Sequence, residues 1–175
     1  DYVYENKSLG IGCRIPEGWV PLTEEQIAEI NGFVLDNIDD EAMKEQIRSS
    51  SVVYDLMASD ETGANNMNIV VQNVGFLQEF TANDLETAIK AAEETMISAL
   101  ESMGATNVTL ELDRGLDFPA DCYASAVVKG EANGTEITER LVMFQKGSCI
   151  VNITASCLGE DITKDVLAGF YRLDK

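Results

Sequence analysis

Histidine is missing from the 175 residues altogether. Its absence excludes Ser-His-Asp and Cys-His nucleophile pairs, and every imidazole-ligated metal site within the chain. Cations are scarce: 12 Lys and Arg stand against 31 Asp and Glu, for a formal net charge of −19. Nucleic-acid binding draws its affinity from basic side chains on phosphates, so this balance argues against a nucleic-acid partner. It disfavours anionic membrane surfaces for the same reason. No apolar run approaches the roughly 20 residues of a membrane span, so no transmembrane segment is expected. Cys13, Cys122, Cys149 and Cys157 show none of the close C-x-x-C spacings that zinc sites use. A phosphate loop is lacking too, because Gly10-Ile-Gly12 has no third glycine and no following helix, and no Gly-Lys-Ser/Thr follows a strand. No cofactor and no metal is expected.

What is present has the composition of a folded domain, with 45% hydrophobic and 25% charged residues. A chain of this length buries roughly 70% of its unfolded surface, and no linker or repeat divides it, so residues 1–175 read as a single domain. Three strand-like runs dominate the second half: 122–129, 136–144 and 149–156. The first two are separated by Gly130-Glu-Ala-Asn-Gly134 and the last two by Lys146-Gly147, which are connections of hairpin length. The result is an antiparallel meander. In the third run Cys149, Val151, Ile153, Ala155 and Cys157 share one parity and Asn152, Thr154 and Ser156 the other, so one face is wetter. Cys149 and Cys157 would lie about 26 Å apart along such a strand and cannot bond each other. Free, mainly buried thiols are expected.

Before the meander, residues 2–4 and 9–15 read as two short strands, stopped by Pro16-Glu-Gly18. Thr23-Glu-Glu-Gln26 is a capping box, and Leu22 with Ile27 is its hydrophobic staple, so a helix starts there. A second short helix is expected over 39–49, and strands over 52–59 and 68–74. A third helix opens at Thr81 with Phe80 and Leu85 as staple and runs unbroken to Gly104. Its inner stripe is Leu85, Ala88, Ile89, Ala92, Met96, Ala99, Leu100 and Met103. A strand follows over 106–112, then a loop over 113–119. After Cys157 the stretch 159–170 reads as a last helix, with Ile162, Val166 and Phe170 inward. The expected order is ββα(α)ββαββββα. The fold class is α+β: an antiparallel sheet covered by helices on both faces.

Tyr4-x-Asn6, the glycine-bearing strand after it and Pro16-x-Gly18-Trp19 together resemble the opening of the PsbP-like superfamily. That group includes photosystem extrinsic proteins, a eukaryotic Ran-binding relative and many small bacterial envelope lipoproteins. The resemblance implies an α/β/α sandwich and a largely non-catalytic accessory or binding role. It supplies no catalytic motif that maps onto this chain.

The remaining candidates for chemistry are acidic. Residues 36–41 and 60–66 hold oxygen ligands that suit calcium, but neither stretch matches the twelve-residue loop spacing, and solvated turns account for them. Paired carboxylates would allow a hydrolase acting on sugars if two faced each other across a cleft. The chain opens at Asp1 without an initiator Met, which fits a mature form that has lost an upstream signal or lipid anchor. The leading expectation is therefore a secreted or membrane-anchored binding module of the bacterial cell envelope, extracytoplasmic, with a protein or small ligand as partner. Alternatives are the carboxylate-based hydrolase and an acidic cytosolic adaptor. Trp19, Phe118 and Tyr123 are the expected contact residues. Apolar side chains at such loop positions are either lids over the core or an exposed patch, and here they would border a shallow groove whose surrounding acids favour a cationic partner.

Overall fold

A computed structural model describes residues 1–36, 52–75 and 79–173. Its elements in order are β1 (Val3–Asn6), β2 (Ile11–Arg14), β3 (Val20–Pro21), α1 (Glu24–Asp36), β4 (Val52–Ser59), β5 (Asn66–Asn73), α2 (Ala82–Ala91), α3 (Glu93–Ser102), β6 (Thr106–Leu112), β7 (Tyr123–Ala132), β8 (Thr135–Lys146), β9 (Cys149–Leu158), α4 (Thr163–Leu167) and β10 (Phe170–Arg172). The short helix expected over 39–49 lies outside the described residues. The protein is a mixed α/β fold with antiparallel sheets.

The meander forms as the alternation requires: β7 pairs with β8 and β8 with β9, with Val142 opposite both Ser125 and Ile153. β7 runs on to Ala132, so its turn to β8 is only Asn133-Gly134, both at positive φ. Gly130 belongs to the strand and not to the turn. A Cβ there would lie 3.1 Å from Val108 Cγ2, so this glycine lets β6 approach β7. The full large sheet has the order β3-β4-β5-β9-β8-β7-β6.

A second sheet, β1-β2-β10, was not expected. The stretch 159–170 forms only the five-residue α4, after which Phe170–Arg172 pairs with β2. Gly169 permits this, since a Cβ there would meet the Arg14 carbonyl at 2.6 Å. The helices over 82–102 therefore cover one face of the large sheet, and the small sheet together with α4, whose Val166 and Leu167 join the same core, covers the other. Between the two sheets lies a core that includes Ile11, Cys13, Trp19, Ile69, Val151, Ile153 and Phe170. On the opposite face, Leu85, Ile89 and Leu100 of the helices pack over Ala126, Val128 and Leu141.

The long helix is also revised. It breaks at Ala92 (φ −90°, ψ −2°) into α2 and α3. Glu93 and Glu94 then occupy the first turn of a fresh helix, where the positive end of the helix dipole favours acids. The inward stripe is narrower than the spacing suggests, because Ala88 and Ala99 are exposed and Met103 is 76% exposed. The starts of α1 and α2 are capped by local chemistry. The Thr23–Gln26 box closes at 2.8 and 3.2 Å, and Thr81 forms a second box with Asp84.

Candidate functional site

Of the three aromatic residues singled out above, all of which belong to or pack on the inter-sheet core, only Phe118 and Tyr123 meet; Trp19 leads into β3, at the other edge of the large sheet from β7. Trp19 and Phe118 are 6% and 4% exposed, so their rings offer little surface to a ligand. Tyr123 is half-buried and its hydroxyl donates to the Leu116 carbonyl at 2.5 Å. Phe118 meets Tyr123 edge-on at 5.8 Å and packs 5.9 Å from Phe144 and 5.5 Å from Phe170. The loop carrying Phe118 does border a cleft, through Pro119, Ala120 and Cys122 rather than through its aromatic ring.

That cleft, of about 680 Å³, opens where the β1–β2 turn and β10 of the small sheet face the β8–β9 hairpin of the large one. Its floor includes Leu9, Ile11 and Phe144, all buried. Its rim carries Lys7 from the β1–β2 turn, Lys146 from the end of β8 and Arg172 from the end of β10. Lys146 reaches across from the large sheet to the small one: a Cβ built on Gly10 would lie 3.5 Å from its Nζ. Arg172 pairs with Asp121 at 2.8 Å, the one carboxylate on the lining, and both groups are exposed. Lys7 and Lys146 make no ion pair with any described residue. In a chain where acids outnumber bases more than two to one, this cleft reverses the ratio.

A second cleft, about 590 Å³, flanks the opposite side of the small sheet, between β1, α1 and β4. A bulge in β4 between Tyr54 and Leu56 turns the Asp55 carboxylate toward β1, as bulges re-aim side chains. Tyr4 and Asn6 both donate to Asp55 Oδ2, Asn6 at 2.9 Å. Asn6 Oδ1 also accepts from the Leu9 amide at 3.0 Å, which shapes the β1–β2 turn. Burial, then the hydrogen bond and charge of Asp55, push the Tyr4 phenol well above its usual value. On the far wall the Asn31 amide exchanges two 3.0 Å bonds with the backbone of Tyr54 and so covers part of the β4 edge. The Tyr4-x-Asn6 motif is thus a tie between the two sheets.

Other polar groups serve the fold. Arg140 is 4% exposed, yet it binds Asp113, donates from Nε to Thr163 Oγ1 at 3.1 Å and reaches Asp161 at 3.4 Å. It joins the 113–119 loop and the start of α4 to β8. Burial alone would raise the Asp161 carboxyl, but hydrogen bonds from Thr163 and the charge of Arg140 hold it below its usual value. Glu139, on the helix-bearing face beside Ser156, is pushed up by burial. Asp60 accepts from Thr62 and Asn65 within its own turn. All four cysteines are free, but only Cys13 and Cys157 are buried; Cys122 is exposed and Cys149 half-buried. Burial raises the Cys13 thiol to about 12.

No family model matches the chain, and comparison with curated proteins finds no match. The cationic cleft was missed by sequence reasoning, since Lys7, Lys146 and Arg172 are far apart in the chain and meet only through the pairing of β2 with β10 and the placing of one sheet on the other. The one available signal was scarcity: each is one of only 12 cations, next to a strand end.

Proposed function

We propose that the protein is a non-enzymatic binding module of the bacterial cell envelope, secreted or lipid-anchored, and that the Lys7/Lys146/Arg172 cleft is its recognition site. The observation that carries this is the convergence of three of the 12 cations on one cleft, two of them without an ion-pair partner among the described residues. A cleft of about 680 Å³ falls within the roughly 300–1,000 Å³ of small-ligand sites, and its mix of apolar floor and few polar groups is theirs too. The resemblance to PsbP-like proteins supports an accessory rather than catalytic role and an extracytoplasmic location. Three of the carboxylates in the two clefts are bound to donors: Asp55 to Tyr4 and Asn6, Glu5 to Tyr171, and Asp121 to Arg172. The acidic surface favours cationic approach at long range, whereas the cleft itself favours an anion.

Amide chemical-shift mapping with a mixed small-molecule library tests the site. Perturbations should cluster at Gly10, Ile11, Ala120 and Phe144; perturbations confined to other surfaces would overturn the assignment. The coding sequence upstream of Asp1 tests location, where a signal peptide with a lipobox cysteine is expected.

A further inference from the structure

We infer that the cleft takes the anionic head of a small amphiphile, a carboxylate or phosphate monoester on a short apolar body, with the head between Lys7, Lys146 and Arg172 and the body against Pro119, Ala120 and Leu173. This rests on the binding-module reading and names its ligand class. Three cations arrive from three separate elements, so a head group meeting all of them joins both sheets. The Asp121 carboxylate already sits 2.8 Å from the Arg172 guanidinium, which shows that the rim accepts a carboxylate; an arriving head group competes with it. Both partners of that pair are exposed, 52% and 90%, and such surface pairs are worth little, so displacement is easy. The apolar surface that the cleft offers comes from Pro119, Ala120 and Leu173, half-buried above the packed floor of Leu9, Ile11 and Phe144, and an inorganic anion would leave it unused.

Size selection follows from the charge distribution. A duplex or an anionic bilayer must approach the whole surface and meets a chain with 31 acids. A small anion need only enter the local field of the rim, because charges beyond roughly 8–10 Å are screened at ordinary salt.

The test is calorimetric titration with octanoate, octyl phosphate, octanol, octylamine and inorganic phosphate, alongside amide-shift mapping, on the wild type and the Lys7→Gln/Lys146→Gln double variant. Both lysines are exposed, and an unchanged amide spectrum away from the cleft confirms that the variant folds. Octanoate and octyl phosphate should bind with shifts at Ile11 and Phe144, and the double variant should weaken both by roughly five- to tenfold. Octylamine should not bind there. Octanol binding as tightly as octanoate, with no loss in the double variant, would overturn the anionic head while leaving the binding-module reading in place. Inorganic phosphate binding as tightly as octyl phosphate would overturn the apolar body. Silence at the cleft with all five probes would remove the site as well as its ligand.

Discussion

The two clefts flank the same small sheet, yet Asp55 of one is held by two donors while two of the three cations of the other have no ion-pair partner among the described residues. On the β1 side Asp55, Tyr4, Asn6 and Asn31 have one another or the backbone as partners. On the β10 side Lys7 and Lys146 have no ion-pair partner among the described residues. Partly buried polar groups that satisfy each other raise stability or fix geometry, because removing one leaves the other without a bond. Charged groups left facing a cavity contribute little to the fold and are free to meet something else. The first cleft is therefore a joint and the second the proposed receptor, although their volumes, about 590 and 680 Å³, are similar. Cavity size alone would not have separated them.

The largest effect should come from beneath the receptor cleft. Phe118 packs on Phe144 of its floor and on Phe170, so Phe118→Ala should cost about 3–5 kcal/mol in urea unfolding. A change under about 1 kcal/mol would mean that the ring works at a surface after all. Next comes the joint itself. Asp55→Ala removes the acceptor of both Tyr4 and Asn6 and should cost roughly 2–3 kcal/mol, with Asp55→Asn milder because one acceptor oxygen remains. A neutral Asp55→Ala would break the comparison, since both clefts would then be equally dispensable to the fold.

How much of this was legible in the sequence depended on how far apart the interacting residues lie. The Thr23–Gln26 box closes over three residues, and its composition announces it. The meander declares itself by alternation and by glycine-bearing connections of hairpin length, although the first of them is the shorter turn Asn133-Gly134. Phe170–Arg172 could not be read as a strand, because its partner β2 lies at the other end of the chain and three residues carry no periodicity. Trp19 and Phe118 were placed correctly in loops, but a loop position does not say whether a ring turns in or out; the second sheet that turns them in was itself unread. The receptor cleft failed for the same reason, as it exists only where that second sheet meets the first.

A pH scan sharpens the joint. Burial, then Asp55, raises the Tyr4 phenol above its ordinary value of 10.0, so the folded state holds that proton more tightly than the unfolded state does. Its contribution is fully present below pH 10 and falls as pH rises beyond it, because ionisation costs more in the folded protein. Alkaline unfolding should therefore steepen above pH 10, and Tyr4→Phe should flatten that slope. An absorbance titration at 295 nm should show two of the five tyrosines, Tyr4 and Tyr171, ionising late in the wild type, and Tyr171 alone doing so in Tyr4→Phe. An unchanged profile in the variant would mean that Asp55 and burial do not protect this group.

The smallest effect is the most discriminating. Lys7→Gln and Lys146→Gln should each change the unfolding free energy by no more than about 0.5 kcal/mol, because neither ammonium has an ion-pair partner to lose among the described residues. Together they move a formal net charge of −19 two units further negative, and that added self-repulsion destabilises the compact state slightly at low ionic strength. Screening separates this general field from any local bond. At ionic strengths where the Debye length falls to roughly 3 Å, about 1 M, the residual loss should vanish. A loss that survives at high salt would show that the lysines hold the two sheets together, as Asp55 does. The β10 cleft would then be a second joint and not a receptor, even if small anions still bound there.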